Sequence, residues 1–169
     1  MKDVVKQVVT PDEAEKQARY EAVETRLQGL IAGETDTLAR MAGVVAVLHG
    51  EMPHFFWTGF YRVVGAELVI GPYQGTPGCS RIGWGRGVCG AAWKAEAAQV
   101  VADVHAFPGH IACDVASESE IVVPVKDGAG RVIAVLDVDS TLPAAFDEVD
   151  AAALESIVSM FVSPGGGMC

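Results

Sequence analysis

The hydrophobic repeat of this chain switches from a helical to a strand period at Pro53, and that switch limits the folds open to it. Residues 12–31 place Val23, Leu27, Leu30 and Ile31 at helical spacing among many charges, which predicts an amphipathic helix weakened by Gly29 and ended by Gly33. A second helix is expected from a cap near Thr35, with Leu38, Met41, Val44, Val45 and Leu48 on one face. Beyond Pro53, Phe55–Val64 and Glu67–Tyr73 are rich in aromatic and β-branched residues, and Gly65-Ala66 between them predicts a hairpin. Ile121–Val125 and Val132–Val138 form a second hairpin, with Pro124 marking an edge or bulged strand. A last helix follows Phe146, with Asp147 as cap and Asp150 at its third position, and buries Leu154, Ile157, Val158 and Phe161. Helices, then antiparallel hairpins, then a closing helix give an α+β fold in which helices pack on an antiparallel sheet. With no repeat and no linker, residues 1–169 are read as a single domain, whose glycine-rich tail, 163–169, should fray.

Charge and targeting narrow the function. A net charge of −10 argues against nucleic acid and anionic membrane as partners. No apolar run reaches the ~18 residues of a membrane span, and the start lacks the apolar stretch of a signal peptide. The expected location is cytoplasmic, where thiols are kept reduced and a disulfide is more often catalytic than structural.

The stretch from Gln74 to Ser117 is long, irregular and too apolar for disorder, broken only by a short helix near Gly90–Ala97 and a strand near Gln99–Val101. It carries Cys79, Cys89 and Cys113, each beside glycine or proline. One such cysteine would read as a small buried hydrophobe; three in separate loops point to thiol chemistry. Gly85 to Gly90 spell G-x-G-x-x-G, but turn residues rather than a strand precede them, which argues against a dinucleotide site. A helix opening near Val88 should lower the Cys89 pKa and make it the reactive thiol. Cys79, Cys89, Cys113, His105 and His110 could be combined into a zinc set, yet no C-x-x-C pair is present and no metal is expected. His105 and His110 read as polar tips of a loop before they read as catalytic groups.

Asp137 and Asp139 lie two apart on a strand, so both project from one face while Leu136 and Val138 fill the other. They either bind something or cap a strand end that reaches water. Trp57 and Tyr61 suit a core or the wall of a small-ligand pocket.

The strings W-x-G-F-Y (57–61), G-P-Y-Q-G (71–75), G-R-G-V-C-G (85–90), D-V-H-A-F-P-G-H-I-A-C-D (103–114), S-E-I-V-V-P (119–124) and L-D-V-D-S (136–140) resemble the free methionine-(R)-sulfoxide reductase family of stand-alone GAF domains. The resemblance implies a GAF-like core over about 35–162, preceded by the helix at 12–31. It implies that Cys113 is the nucleophile, Cys79 the main resolving thiol and Cys89 an assisting one, against the residue-level preference for Cys89. By the same resemblance Trp57 and Tyr61 hold the methyl-sulfur end, and Glu120, Asp137 and Asp139 bind the amino group or handle the sulfoxide proton. It further implies reduction of the free amino acid without cofactor or metal, recycling by thioredoxin, and a homodimer. Phe56, Gly83-Trp84 and the extra Cys169 depart from the family pattern. The competing classes are a ligand-sensing module and a thiol redox sensor without turnover.

Overall fold

A computed structural model describes residues 9–111 and 113–161. Helix α1 spans Glu13–Leu30 and α2 spans Thr37–Glu51. The α2 cap is Asp36, not Thr35: its carboxylate accepts from the Ala39 backbone N–H at 2.8 Å, which satisfies a donor the helix itself cannot. The strands are β1 (Trp57–Val64), β2 (Glu67–Gln74), β3 (Arg81–Gly83), β4 (Gln99–Val101), β5 (Ser119–Lys126) and β6 (Val132–Ser140). Helix α3 (Gly87–Ala95) begins three residues before the predicted start, and α4 (Glu148–Ser159) opens with the Asp147/Asp150 capping box. The glycine-rich tail expected to fray, 163–169, with Cys169, lies outside the described residues.

All six strands join one antiparallel sheet in the order β3-β2-β1-β6-β5-β4, so both hairpins meet along β1 and β6 at its centre. The three-residue β3 has no apolar alternation to announce it and forms because Arg81–Gly83 pairs with Glu67–Val69 at the start of β2. β5 is an inner strand, yet β4 pairs only with Glu120–Val122, so at Pro124 the strand has a free edge on that side. A proline lacking its N–H fits there, and the register shift follows at Val125/Lys126.

Alternation along the strands divides the interior into two clusters. One face carries Phe60, Ile121, Val123, Leu136 and Val138 against Val23 and Leu27 of α1, Val44 and Leu48 of α2, and Leu154 and Ile157 of α4. The opposite face carries Trp57, Tyr61, Val122 and Val135 against Val88, Cys89, Ala92 and Trp93 of α3. The helical face is anchored by a polar contact absent from the periodic reading. Lys16 of α1, 1% exposed, donates to the Ala145 carbonyl at 3.0 Å, to Asp147 at 2.7 Å and to Asp150. The Tyr20 hydroxyl donates to the other Asp150 oxygen at 2.7 Å. These bonds use all three ammonium protons, which is the condition for burying a lysine without a large penalty. No helix among the described residues is long and apolar enough to cross a membrane.

Candidate active site

The strand register assembles the site. Trp57 lies opposite Asp139, Gly59 opposite Asp137, and Glu120 opposite Asp139 from the other side. Because side chains repeat with a period of two, Trp57, Tyr61, Asp137, Asp139 and Glu120 all emerge on the α3 face. They line one cavity of about 40 Å³, shared with Cys89 and with Thr76, His110 and Cys113 from the long loop. Since one water needs roughly 10–15 Å³ by this measure, the space suits a small polar molecule.

The aromatic wall is layered. The Trp57 ring stacks between Tyr61 (5.8 Å) and Tyr73 (5.3 Å), and its indole N–H donates to the Thr76 carbonyl at 2.9 Å. Gly59 makes that stack possible: a Cβ there would sit 2.5 Å from both the Trp57 ring and the Tyr73 Cβ.

Facing this wall are the three carboxyl groups. Burial pushes Glu120 well above the carboxylate range, and the charges of Asp137 and Asp139 push the same way. Burial raises Asp137 too, followed by the Asp139 charge, but hydrogen bonds with Cys89 and Glu120 pull back. Burial raises Asp139 to about 6, opposed by a Ser117 hydrogen bond. Every influence on Glu120 favours its neutral form, so the proton of this pair belongs to Glu120 and Asp137 is the better anion. One Asp137 oxygen is buried with no hydrogen-bond partner. Among the described residues, no lysine or arginine lines the cavity. His110 Nε2 lies 3.7 Å from a Glu120 oxygen, but burial first and His105 second lower its pKa, so it faces Glu120 as a neutral ring.

Cys79 and Cys113 form a disulfide with Cα atoms 5.5 Å apart, joining two loops 34 residues apart in sequence. Cys113 is exposed and Cys79 half-buried. The expected lowering of the Cys89 pKa by its helix is overturned. Its helix does open at Gly87, but burial raises the thiol pKa well above normal, and nearby Asp137 and Glu120 raise it further. Desolvation and two carboxyl groups outweigh a partial helix charge. The zinc set does not assemble either, because Cys79 and Cys113 are bonded to each other and exposed His105 sits 3.5 Å from Glu118. What does come together is Cys89, Glu120 and Asp137, with donor atoms within 4.8 Å. The shifts that keep Cys89 and Glu120 protonated oppose metal ligation and favour holding protons.

The G-x-G-x-x-G segment does follow a strand, contrary to expectation, but β3 is an antiparallel edge and no parallel βαβ unit surrounds it. Sequence reasoning missed Thr76, Asp114 and Ser117 as cavity residues and undervalued His110. The one available signal was that Asp114 and His110 share the segment bearing Cys113.

The GAF domain family matches residues 32–160. The GAF domain-containing protein A of Dictyostelium discoideum is 47% identical over 86% of this chain and 91% of its own length. The free methionine-R-sulfoxide reductase of Escherichia coli is 44% identical over 83% of this chain and 84% of that protein. Among solved structures, the free methionine-R-sulfoxide reductase of Neisseria meningitidis in complex with its substrate superimposes with a TM-score of 0.83 at 44% identity, covering 92% of this chain and 91% of that one.

Proposed function

The chain belongs to the GAF domain family, and on that premise we propose that it reduces free L-methionine (R)-sulfoxide to methionine with Cys113 as nucleophile. The observation that carries the reading is a disulfide-forming thiol pair, one member of which, Cys113, lines a cavity whose carboxyl groups have no lysine or arginine beside them among the described lining residues. An ammonium group is the complement of Asp137 and Asp139, and the stacked face of Trp57 with Tyr61 accommodates a methyl-sulfur end.

A sulfoxide sulfur becomes electrophilic when its oxygen is protonated. Glu120, held neutral, delivers that proton as the Cys113 thiolate attacks; the oxygen passes to Cys113 as sulfenic acid and methionine leaves. The Cys79 thiol then attacks the sulfenic sulfur, its proton departs with the hydroxyl as water, and the Cys79–Cys113 disulfide forms. Thioredoxin returns two electrons by exchange, attacking the exposed Cys113 side. Cys89, buried against Asp137, is the assisting thiol. The segment Gly75–Ser117, which brings Thr76, His110 and Cys113 to the cavity, is the element expected to restrict the substrate to the free amino acid. A homodimer in the cytoplasm is the expected assembly and location.

The test couples thioredoxin and its reductase to NADPH oxidation with each diastereomer of free methionine sulfoxide and with a peptide-bound sulfoxide. Turnover of the free R form alone supports the reading. Equal rates on both diastereomers, faster peptide turnover, or a stoichiometric yield of methionine from Cys113→Ser would reject it, and no turnover at all would leave a ligand-sensing or redox-sensing module.

A further inference from the structure

The two loops that carry Cys79 and Cys113 are also joined by a second, non-covalent bridge. The Thr76 hydroxyl donates to an Asp114 carboxylate oxygen at 2.6 Å, three residues from Cys79 on one side and one residue from Cys113 on the other. Each partner is fixed independently of this bond. The Thr76 carbonyl accepts the Trp57 indole N–H, which holds the strand of chain before Cys79 against the aromatic wall. Next to it, Gly75 sits at φ +122° with its Cα surface so close to Trp57 that a Cβ would lie 2.7 Å from the ring, so this segment hugs the wall. The second Asp114 oxygen accepts the Ala116 N–H at 2.8 Å, which fixes the carboxylate within its own loop. The bond therefore joins two pre-oriented groups and costs little ordering entropy.

From this geometry we infer that Thr76 and Asp114 are positioning residues: a clamp that keeps Cys79 in reach of Cys113 when the disulfide is open. Its place in turnover rests on the reading above, since the step it serves is attack of the Cys79 thiol on the Cys113 sulfenic acid. The clamp itself is a property of the thiol pair. The disulfide holds the two loops together while closed, and the Thr76–Asp114 bond preserves their approach once it is reduced, raising the effective concentration of one thiol at the other. By linkage, whatever the closed disulfide adds to the clamp, the clamp adds equally to the disulfide. The Asp114 pKa lies below the ordinary value, first through the Thr76 hydrogen bond and then through Ala116, so the acceptor is a carboxylate at neutral pH and the bond is charge-assisted.

The experiment equilibrates the protein with mixtures of reduced and oxidised glutathione, in which two glutathione thiols reduce the protein disulfide and leave as glutathione disulfide. The fraction of Cys79 joined to Cys113 is read by thiol alkylation and peptide mapping, with no methionine sulfoxide present. Thr76→Val and Asp114→Ala are each expected to shift the equilibrium about tenfold toward the dithiol, the scale of one hydrogen bond to a charged group. Thr76→Ser, which restores the hydroxyl, should return close to parental values, and the Thr76→Val/Asp114→Ala double variant should be no worse than either single one. Melting temperatures from the same samples separate a clamp from general support. An equilibrium within twofold of parental in Thr76→Val, or additive losses in the double variant, overturns the clamp; so does a lower melting temperature with an unmoved equilibrium. Because no turnover is measured, these outcomes stand apart from success or failure of the sulfoxide assay.

Discussion

Two groups of carboxyls, one built around buried Asp150 and the other around buried Glu120 and Asp137, occupy opposite faces of the same sheet, and their surroundings differ in one respect. Asp150 and Asp147, at the start of α4, surround the Lys16 ammonium, with the Tyr20 hydroxyl completing the set. Glu120, Asp137 and Asp139 lie among one another, a neutral His110, the Ser117 side chain and the Cys89 thiol, with no lysine or arginine among the described lining residues, and one Asp137 oxygen is left without a partner. A buried acid with its cation in place is structural, because its interactions are complete when the chain folds. Buried acids without one keep protons in the folded state that the unfolded chain would shed, and they are complete only when a cationic ligand arrives. The pocket face thus gives up stability for chemistry, whereas on the helical face the burial that raises Asp150 is opposed by hydrogen bonds from Lys16 and Tyr20.

The largest expected effect breaks the completed group. Lys16→Met leaves Asp150 buried without its cation and should cost about 3–5 kcal/mol of stability, read by urea unfolding, with KM unchanged in whatever protein is folded. A loss below 1 kcal/mol would show that Lys16 is ornamental and that the two carboxyl groups do not differ as described.

The second prediction uses pH, where Asp139 and Asp147 have opposite signs, while burial raises Asp150 against the opposing hydrogen bonds from Lys16 and Tyr20. Asp139, raised to about 6, keeps in the folded state a proton that the unfolded chain loses near 4. Its contribution to stability therefore falls as pH rises from about 4 to about 6 and is level above that. The cost at neutral pH is of order 3 kcal/mol. Asp147 behaves oppositely. Burial opposes its ionisation, but the Lys16 hydrogen bond and charge hold its pKa below normal, so its stabilisation is present above the unfolded pKa and disappears as pH falls. Asp139→Asn should thus gain stability over the parent as pH increases through 4–6, and Lys16→Met should flatten the acid limb of the parental curve. Melting curves that show the same pH slope for Asp139→Asn and the parent would remove Asp139 from the group of strained acids.

Kinetics sharpen the contrast at the level of roughly 10²-fold. Glu120→Gln should lower kcat by that factor or more without loss of stability, since it removes the proton donor while keeping a neutral side chain of the same shape. Asp137→Asn and Asp139→Asn should act mainly on KM. If all three variants retain parental kinetics, the acids take no part in turnover.

The smallest effect is Tyr20→Phe, which deletes one hydrogen bond to Asp150 and should cost about 1–3 kcal/mol while leaving the sulfoxide assay at its parental rate. A change in kcat larger than threefold would mean that the two faces communicate through the sheet.

Much of this architecture was legible one segment at a time. Apolar spacing located α1, α2 and both hairpins, and Asp147 three residues before Asp150 announced the α4 capping box, because these signals depend on neighbours within a turn or a pleat. Alternation also put Asp137 and Asp139 on one face. Lys16 was not legible: it sits in a helix crowded with Glu13, Glu15 and Glu21, where a lysine ordinarily faces water, and its partners lie more than 125 residues away. The Cys79–Cys113 pair was implied by family resemblance, not by spacing.

Cys89 shows most clearly where the boundary falls. Its sequence places it in the first turn of a helix, and the local field of that helix is the sole influence that neighbouring residues can supply. Folding then brings β5 and β6 against α3, strips the thiol of water and sets Glu120 and Asp137 beside it. The chain by itself determined periodicity, caps and the face on which each strand residue points, since those are short-range properties of the backbone. Which thiols meet, which acid retains a proton and which lysine is buried were decided by tertiary structure, because charge and desolvation act through space between residues far apart in sequence.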